Sequence, residues 1–190
     1  MRAYSGYCFP FERARGIRLL ILDVDGVLTD GSIVMNHAGQ ELKAFNVRDG
    51  HGIKLLQRAG IDVAIITGRT SEVVRARADD LGIAHVLQGC LNKNEALDCL
   101  QRESGVPPTS CAYMGDDIID LPPMRRCALA MAPVDAHPAV RARAHWVSDC
   151  VGGRGAVRQA AEALILAQGC WQQVMADRYG VLPQDCGWEV

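Results

Sequence analysis

The sequence predicts an α/β fold: a doubly wound parallel sheet with helices on both faces. Three observations carry that expectation. Short apolar runs alternate with stretches of helical period, the pattern of strands returning through crossover helices. The first strong run, Leu-Leu-Ile-Leu, passes directly into an acidic pair, Asp23 and Asp25, at what would be the carboxyl end of a strand, where open α/β sheets bind their ligands. The chain of 190 residues is 49% hydrophobic but only 5% aromatic, which suits one domain cored by Leu, Ile, Val and Ala.

Strands are expected over residues 17–22, 63–67, 84–87, 111–114, 128–132 and 145–147. Helices lie between them. Residues 52–59 present Ile53, Leu56 and Ala59 to one face, and residues 72–81 present Val73, Val74 and Leu81. Residues 92–104 open with Asn92 and carry Glu95 three positions on, as in a capping box. Residues 156–167 are rich in strong helix formers. One segment departs from the rhythm. Within 31–46, extended runs 32–35 and 41–45 flank a His37-Ala38-Gly39 turn, an inserted β-hairpin that would overhang the strand end as a flap. Residues 170–190 have no clear period, although Trp171, Val174 and Met175 could prolong the preceding helix.

Composition removes several function classes. A formal net charge of −2 offers no general attraction to nucleic acid or to an anionic membrane. No apolar run is long enough to span a bilayer, and residues 1–16 lack the apolar segment of a secretory signal. The eight cysteines contain no Cys-x-x-Cys pair and read as reduced thiols of a cytoplasmic protein.

The chemistry concentrates at element ends. Asp23 and Asp25 end the first strand, Thr67 the second, and Asp116 the fourth, while Lys93 opens the helix after the third. Two close carboxylates repel, and a hard divalent cation relieves that repulsion. With a cation held by Asp23 and Asp116, Asp23 can attack phosphorus. Thr67 can hydrogen-bond a phosphoryl oxygen, and Lys93 can neutralise charge. Asp25 can act as acid towards the leaving oxygen and as base towards water. Each residue also has a plainer reading. Thr67 could cap a helix, Lys93 could be solvated, and Asp117 and Asp120 could cap or support rather than bind metal. His37 reads as exposed, and His137 before Pro138 as a turn former.

The chain resembles the haloacid-dehalogenase superfamily of aspartate-nucleophile phosphatases. Within it, residues 17–169 resemble the 3-deoxy-D-manno-octulosonate (KDO) 8-phosphate phosphatase family. The resemblance rests on Leu-Asp-Val-Asp-Gly-Val-Leu-Thr-Asp-Gly (22–31), Lys-Ala-Phe-Asn-Val-Arg-Asp-Gly (43–50), Ile-Thr-Gly-Arg (66–69) and Gly-Asp-Asp-Ile-Ile-Asp-Leu-Pro (115–122). It extends through Asp-Ala-His-Pro (135–138), Gly-Gly-Arg-Gly-Ala-Val-Arg (152–158) and Ala-Gln-Gly (167–169). It implies Mg²⁺ held by Asp23, Asp116 and the main-chain carbonyl of Asp25. It also implies an acidic sugar phosphate substrate held by Asp25, Asn46, Val47, Arg48, Asp49, Gly50, Lys54, Arg69, Arg77 and Lys93. Lys54 stands where many members have arginine, which keeps the charge but not a bidentate grip. The resemblance further implies a capless homotetramer with its flap hairpins packed together, and site closure by a neighbouring subunit and the glycine-rich segment. The expected division is a 1–16 extension, a 17–169 phosphatase domain and a 170–190 tail. Two other readings stand beside it: the same chemistry on a sialic-type 9-phosphate, and a phospho-acceptor signalling domain, which would have no use for Asp25.

Overall fold

The computed structural model describes residues 9–188; the sequence readings that fall on residues 1–8 (Cys8 among them) and 189–190 lie outside the described residues. Six parallel strands form the central sheet: β1 (Leu19–Leu22), β4 (Asp62–Ile66), β5 (His85–Leu87), β6 (Cys111–Met114), β7 (Leu129–Ala132) and β8 (Trp146–Val147). Their order is β5-β4-β1-β6-β7-β8, so the acidic strand is central and the chain reverses direction of growth beside it. A crevice for ligands forms at such a switch point. β1 shows why the run is continuously apolar. Leu20 and Leu22 enter one core layer, and Leu19 and Ile21 enter the layer on the opposite face.

The first layer is built on α2 (Val47–Arg58), α3 (Glu72–Leu81) and α7 (Ala156–Ala167), with α1 (Phe11–Ala14) against α7. The second is built on α4 (Lys93–Ser104), α5 (Leu121–Met124) and α6 (Pro138–Arg141). A separate antiparallel hairpin, β2 (Val34–Met35) and β3 (Glu41–Leu42), pairs Val34 with Leu42 and Met35 with Glu41.

Most boundaries shift from expectation by a residue or two, and three of the differences have a visible cause. β1 starts at Leu19 because Ile17 still closes a turn onto Ala14. β3 stops at Leu42, since Lys43 turns inward to pair with carboxylates. α2 starts at Val47 instead of residue 52, because the Asn46 side chain caps it by accepting from the Arg48 N–H at 2.8 Å. The tail has structure of its own: a π turn (Gln172–Ala176), then α8 (Asp177–Tyr179). Trp171 and Trp188 are buried against the α2–α7 layer, with Trp171 Nε1 donating to Val181 O and Trp188 Nε1 to Glu162 Oε2. No described helix is long and apolar enough to cross a membrane.

Candidate active site

The loop after β1 is wound tightly. The Val24 carbonyl accepts from the N–H groups of Val27, Leu28 and Thr29, which turns the chain sharply and leaves Asp23 and Asp25 at the crevice. Gly26 makes this possible. Its φ is +89°, and a Cβ there would stand 2.2 Å from Asp116 Oδ2. The carboxylate of Asp116 therefore lies directly against the loop after β1. Gly152 and Gly153 pack on the same chain's Gly26 and Thr29, so in one protomer the glycine-rich segment already buttresses its own loop. The Asp-Ala-His-Pro motif ties these pieces together. The His137 N–H donates to Asp116 O, its Nδ1 accepts from Ala139 at the start of α6, and Asp135 accepts from the Gly152 N–H.

A buried chain of charges forms the floor. Lys93 Nζ lies 2.8 Å from Asp23 Oδ2 and 2.6 Å from Asp120 Oδ1. Asp120 is fully buried. It also accepts from Tyr113 OH at 2.9 Å and from the N–H groups of Asp116 and Asp117. Its oxygens are thus committed to orienting Lys93 and the Asp116 loop, while Asp117 caps the short turn that follows. Burial works against the Lys93 charge, but Asp23 and Asp120 outweigh it and hold the ammonium above its ordinary range. Burial, reinforced by Asp120, raises the Asp23 carboxyl to about 6. Burial, then Asp23 and Asp120, raises Asp116 to about 7.

These groups fit a divalent cation. Oxygens of Asp23, Asp116 and Asp120 lie within 4.8 Å of one another. Asp23 Oδ1 and Asp116 Oδ1 are buried with no hydrogen-bond partner. Two orphaned carboxylate oxygens in one buried spot leave an unmet demand for positive charge that a hard cation satisfies.

On the open side, Lys43 Nζ is bonded to Asp25 Oδ1 and lies 3.3 Å from Glu41 Oε1. Arg69 Nη2 meets Glu41 Oε1 at 2.7 Å, and Arg69 Nε approaches Asp25 Oδ2 at 3.7 Å. The residues expected to hold substrate divide into groups. Thr67 is buried at the end of β4, beside Asp23's strand. Asn46 caps α2, and Arg77 lies over the Phe45 ring while paired with Asp80. Phe45, Asn46, Asp49, Gly50 and Arg77 line a cavity of about 10 Å³, room for no more than one water. Val47 and Arg48 are exposed, and Arg48 lines a different cavity, of about 350 Å³, with Arg154 and Arg158. Two of the expected residues are engaged elsewhere. Lys54 Nζ donates to Leu81 O at the end of α3. The buried Asp49 carboxylate accepts from the Gly155 and Arg158 N–H groups and so caps α7.

Over 157 residues the chain is 52% identical to the 3-deoxy-D-manno-octulosonate 8-phosphate phosphatase of Salmonella typhi, covering 83% of this chain and 84% of that one. The chain belongs to the KDO 8-phosphate phosphatase family. No family-level sequence profile matches it. The crystal structure of the Yersinia pestis KDO 8-phosphate phosphatase superposes with a TM-score of 0.83 at 49% identity, over 85% of this chain and 88% of that one. The Moraxella catarrhalis KDO 8-phosphate phosphatase, solved with magnesium, phosphate and KDO, gives 0.85 at 40% identity, over 88% and 96%. A Legionella pneumophila protein described as a hydrolase of the haloacid-dehalogenase (HAD) superfamily superposes with a TM-score of 0.85 at 40% identity, over 90% of this chain and 94% of that one, which places the six-stranded parallel sheet flanked by helices in that superfamily. None of the four carries the name of a nine-carbon sugar phosphatase or a signalling domain. Against this KDO phosphatase frame, four side chains stand out that sequence reasoning assigned no role: Glu41, Lys43, Tyr113 and Asp135. Lys43 and Asp135 lie inside motifs that carry the resemblance, but nothing in those motifs names Asp25 or Gly152 as their partners.

Proposed function

We propose that this protein hydrolyses KDO 8-phosphate to KDO and phosphate, a step in lipopolysaccharide synthesis, through an aspartyl-phosphate intermediate. The observation that carries the reading is the buried Asp23–Lys93–Asp120 chain beside the orphaned oxygens of Asp23 and Asp116. Asp23, Asp116 and the Asp25 main-chain carbonyl would hold Mg²⁺, which would supply screening of the phosphate dianion from the carboxylates and polarisation of its oxygens.

Asp23 attacks phosphorus while the bond to the sugar oxygen breaks, and Asp25 delivers its proton to that oxygen. Water then attacks the phosphoryl group. Asp25 takes the proton, and phosphate leaves with Asp23 restored. Lys93 offsets charge on the nucleophile and phosphoryl oxygens, and Thr67 donates to one of them. Asp25, Asn46, Val47, Arg48, Asp49, Gly50, Lys54, Arg69, Arg77 and Lys93 hold the sugar acid. The Lys54 and Asp49 side chains are engaged at α3 and α7, so a part in holding the sugar acid would require them to exchange those contacts for substrate.

The catalytic unit is 17–169, flanked by the extension and the tail. The protein acts as a homotetramer. The hairpin supports this, since it exposes Ile33, Val34, Met35 and Leu42. A cytoplasmic location agrees with free thiols at all seven described cysteines.

The test is phosphate release with Mg²⁺ from KDO 8-phosphate, a sialic-type 9-phosphate and glucose 6-phosphate, with Asp23→Asn as blank. Preference for KDO 8-phosphate, lost in the variant, is expected. Preference for the nine-carbon substrate would reassign the pathway, and no release from any substrate would refute the reaction.

A further inference from the structure

The hairpin arm delivers a buried cation to the side chain that the mechanism uses for proton transfer. Lys43 has 1% of its side chain exposed, so it meets the crevice wall and not solvent. Its ammonium bonds Asp25 Oδ1 and is held from behind by Glu41 Oε1 at 3.3 Å. Glu41 is itself fixed by Arg69 Nη2 at 2.7 Å. The opposite oxygen, Asp25 Oδ2, has Arg69 Nε at 3.7 Å, beyond hydrogen-bond reach. The two oxygens of Asp25 are therefore not equivalent. Lys43 anchors Oδ1 and leaves Oδ2 the freer oxygen, facing the crevice shared with Arg69.

We propose that Lys43 is a positioning residue that fixes the rotamer of Asp25 by anchoring Oδ1, so that Oδ2 is the oxygen presented to the leaving group. Glu41 holds Lys43 in place. The inference rests on the acid–base reading of Asp25. It makes the hairpin a working part of the acid–base apparatus, because the segment that follows β3 orients a group on the loop after β1. A carboxylate anchored at one oxygen presents the other in one direction, whereas a free Asp25 would sample its rotamers in a crevice it shares with Arg69.

The leaving group separates this role from a structural one. A sugar alkoxide needs a proton as it departs, while p-nitrophenolate leaves without one. The quotient kcat/KM covers events up to the first irreversible step, which is formation of the aspartyl phosphate. Lys43→Met keeps the stem of the side chain and removes the donor. It is expected to lower kcat/KM for KDO 8-phosphate by at least about 10²-fold, the scale of general acid help, while p-nitrophenyl phosphate loses less than about threefold. Lys43→Arg, which can still donate, is expected to recover most of the loss.

Equal losses on the two substrates would overturn the proposal. So would a loss confined to KM, or an unchanged kcat/KM for KDO 8-phosphate. Asp25→Asn run alongside tests the reading beneath it. That variant should show the same substrate dependence, more severely, and equal losses there would refute the acid role of Asp25 and this assignment with it. If Asp25→Asn shows the dependence and Lys43→Met does not, only the assignment to Lys43 fails.

Discussion

Asp23 and Asp116 show how burial sets up competition between protons and a cation. Their carboxyls stand at about 6 and about 7 against an ordinary 3.8. In the metal-free protein both folded-state values lie above the unfolded value, so ionising them opposes folding. That opposition is absent below the unfolded value and complete above about pH 7. A bound cation reverses it by replacing the protons. Mg²⁺ should therefore raise the melting temperature clearly at about pH 8 and little at about pH 5.5, with proton release on binding between them. Calorimetry in buffers of different ionisation enthalpy measures that release, and a pH-independent stabilisation would refute the assignment of these two oxygens. Asp23, Asp25, Thr67, Lys93 and Asp116 were legible because each ends or opens an element, where a polar residue after an apolar run stands out. Lys43, Tyr113 and Asp135 were not, because their roles depend on which elements become neighbours. Tyr113 in particular reads as one more core residue of β6 until Asp120 is folded back beneath it.

Among elements, the contact between α2 and α7 is the clearest case of local signals misleading. The apolar face of Ile53, Leu56 and Ala59 set the expected start at residue 52, whereas α2 begins at Val47. Gly52 is a packing glycine: a Cβ there would stand 3.0 Å from Arg158 Cα. The same turn of α2 carries Asp49, which supplies the cap that Gly155 cannot give α7 from its own side chain. Removing it strands two buried N–H groups at a positive helix end. Asp49→Ala should cost about 1–2 kcal/mol of stability in urea unfolding. Asp49→Asn keeps an accepting oxygen and should lose less. If the main duty of the side chain were substrate contact, both variants would keep the wild-type midpoint and change only KM. The parallel strands were legible from the order of apolar runs along the chain, since burial on both faces favours uninterrupted runs. Strand ends were less so, because Ile17 belongs to a turn before β1 and Lys43, after hairpin strand β3, to an ion pair.

At the scale of the molecule, the hairpin joins solvent-facing apolar surface to the site. Its outer positions Ile33, Val34, Met35 and Leu42 are 50–59% exposed, while its continuation carries Lys43 inward to Asp25. An isolated two-stranded ribbon is marginal in water and gains stability by packing against something else. In the tetramer proposed above, the hairpins pack on one another and hold the arm that orients Asp25. Assembly and acid–base geometry then become one equilibrium, and activity should depend on protein concentration near the dissociation constant. Replacing Met35 and Leu42 together by lysine puts like charges where four copies would meet, at positions outside the core of the sheet. Light scattering should show the wild type at four times the chain mass and the double variant smaller, with an unchanged far-ultraviolet spectrum. Phosphate release from KDO 8-phosphate should fall with the loss of assembly, and p-nitrophenyl phosphate should be spared in proportion as Asp25 is the group disturbed. A wild type that stays monomeric at micromolar concentration, or a double variant that stays tetrameric and fully active, would refute the coupling and leave the hairpin to act through Lys43 alone.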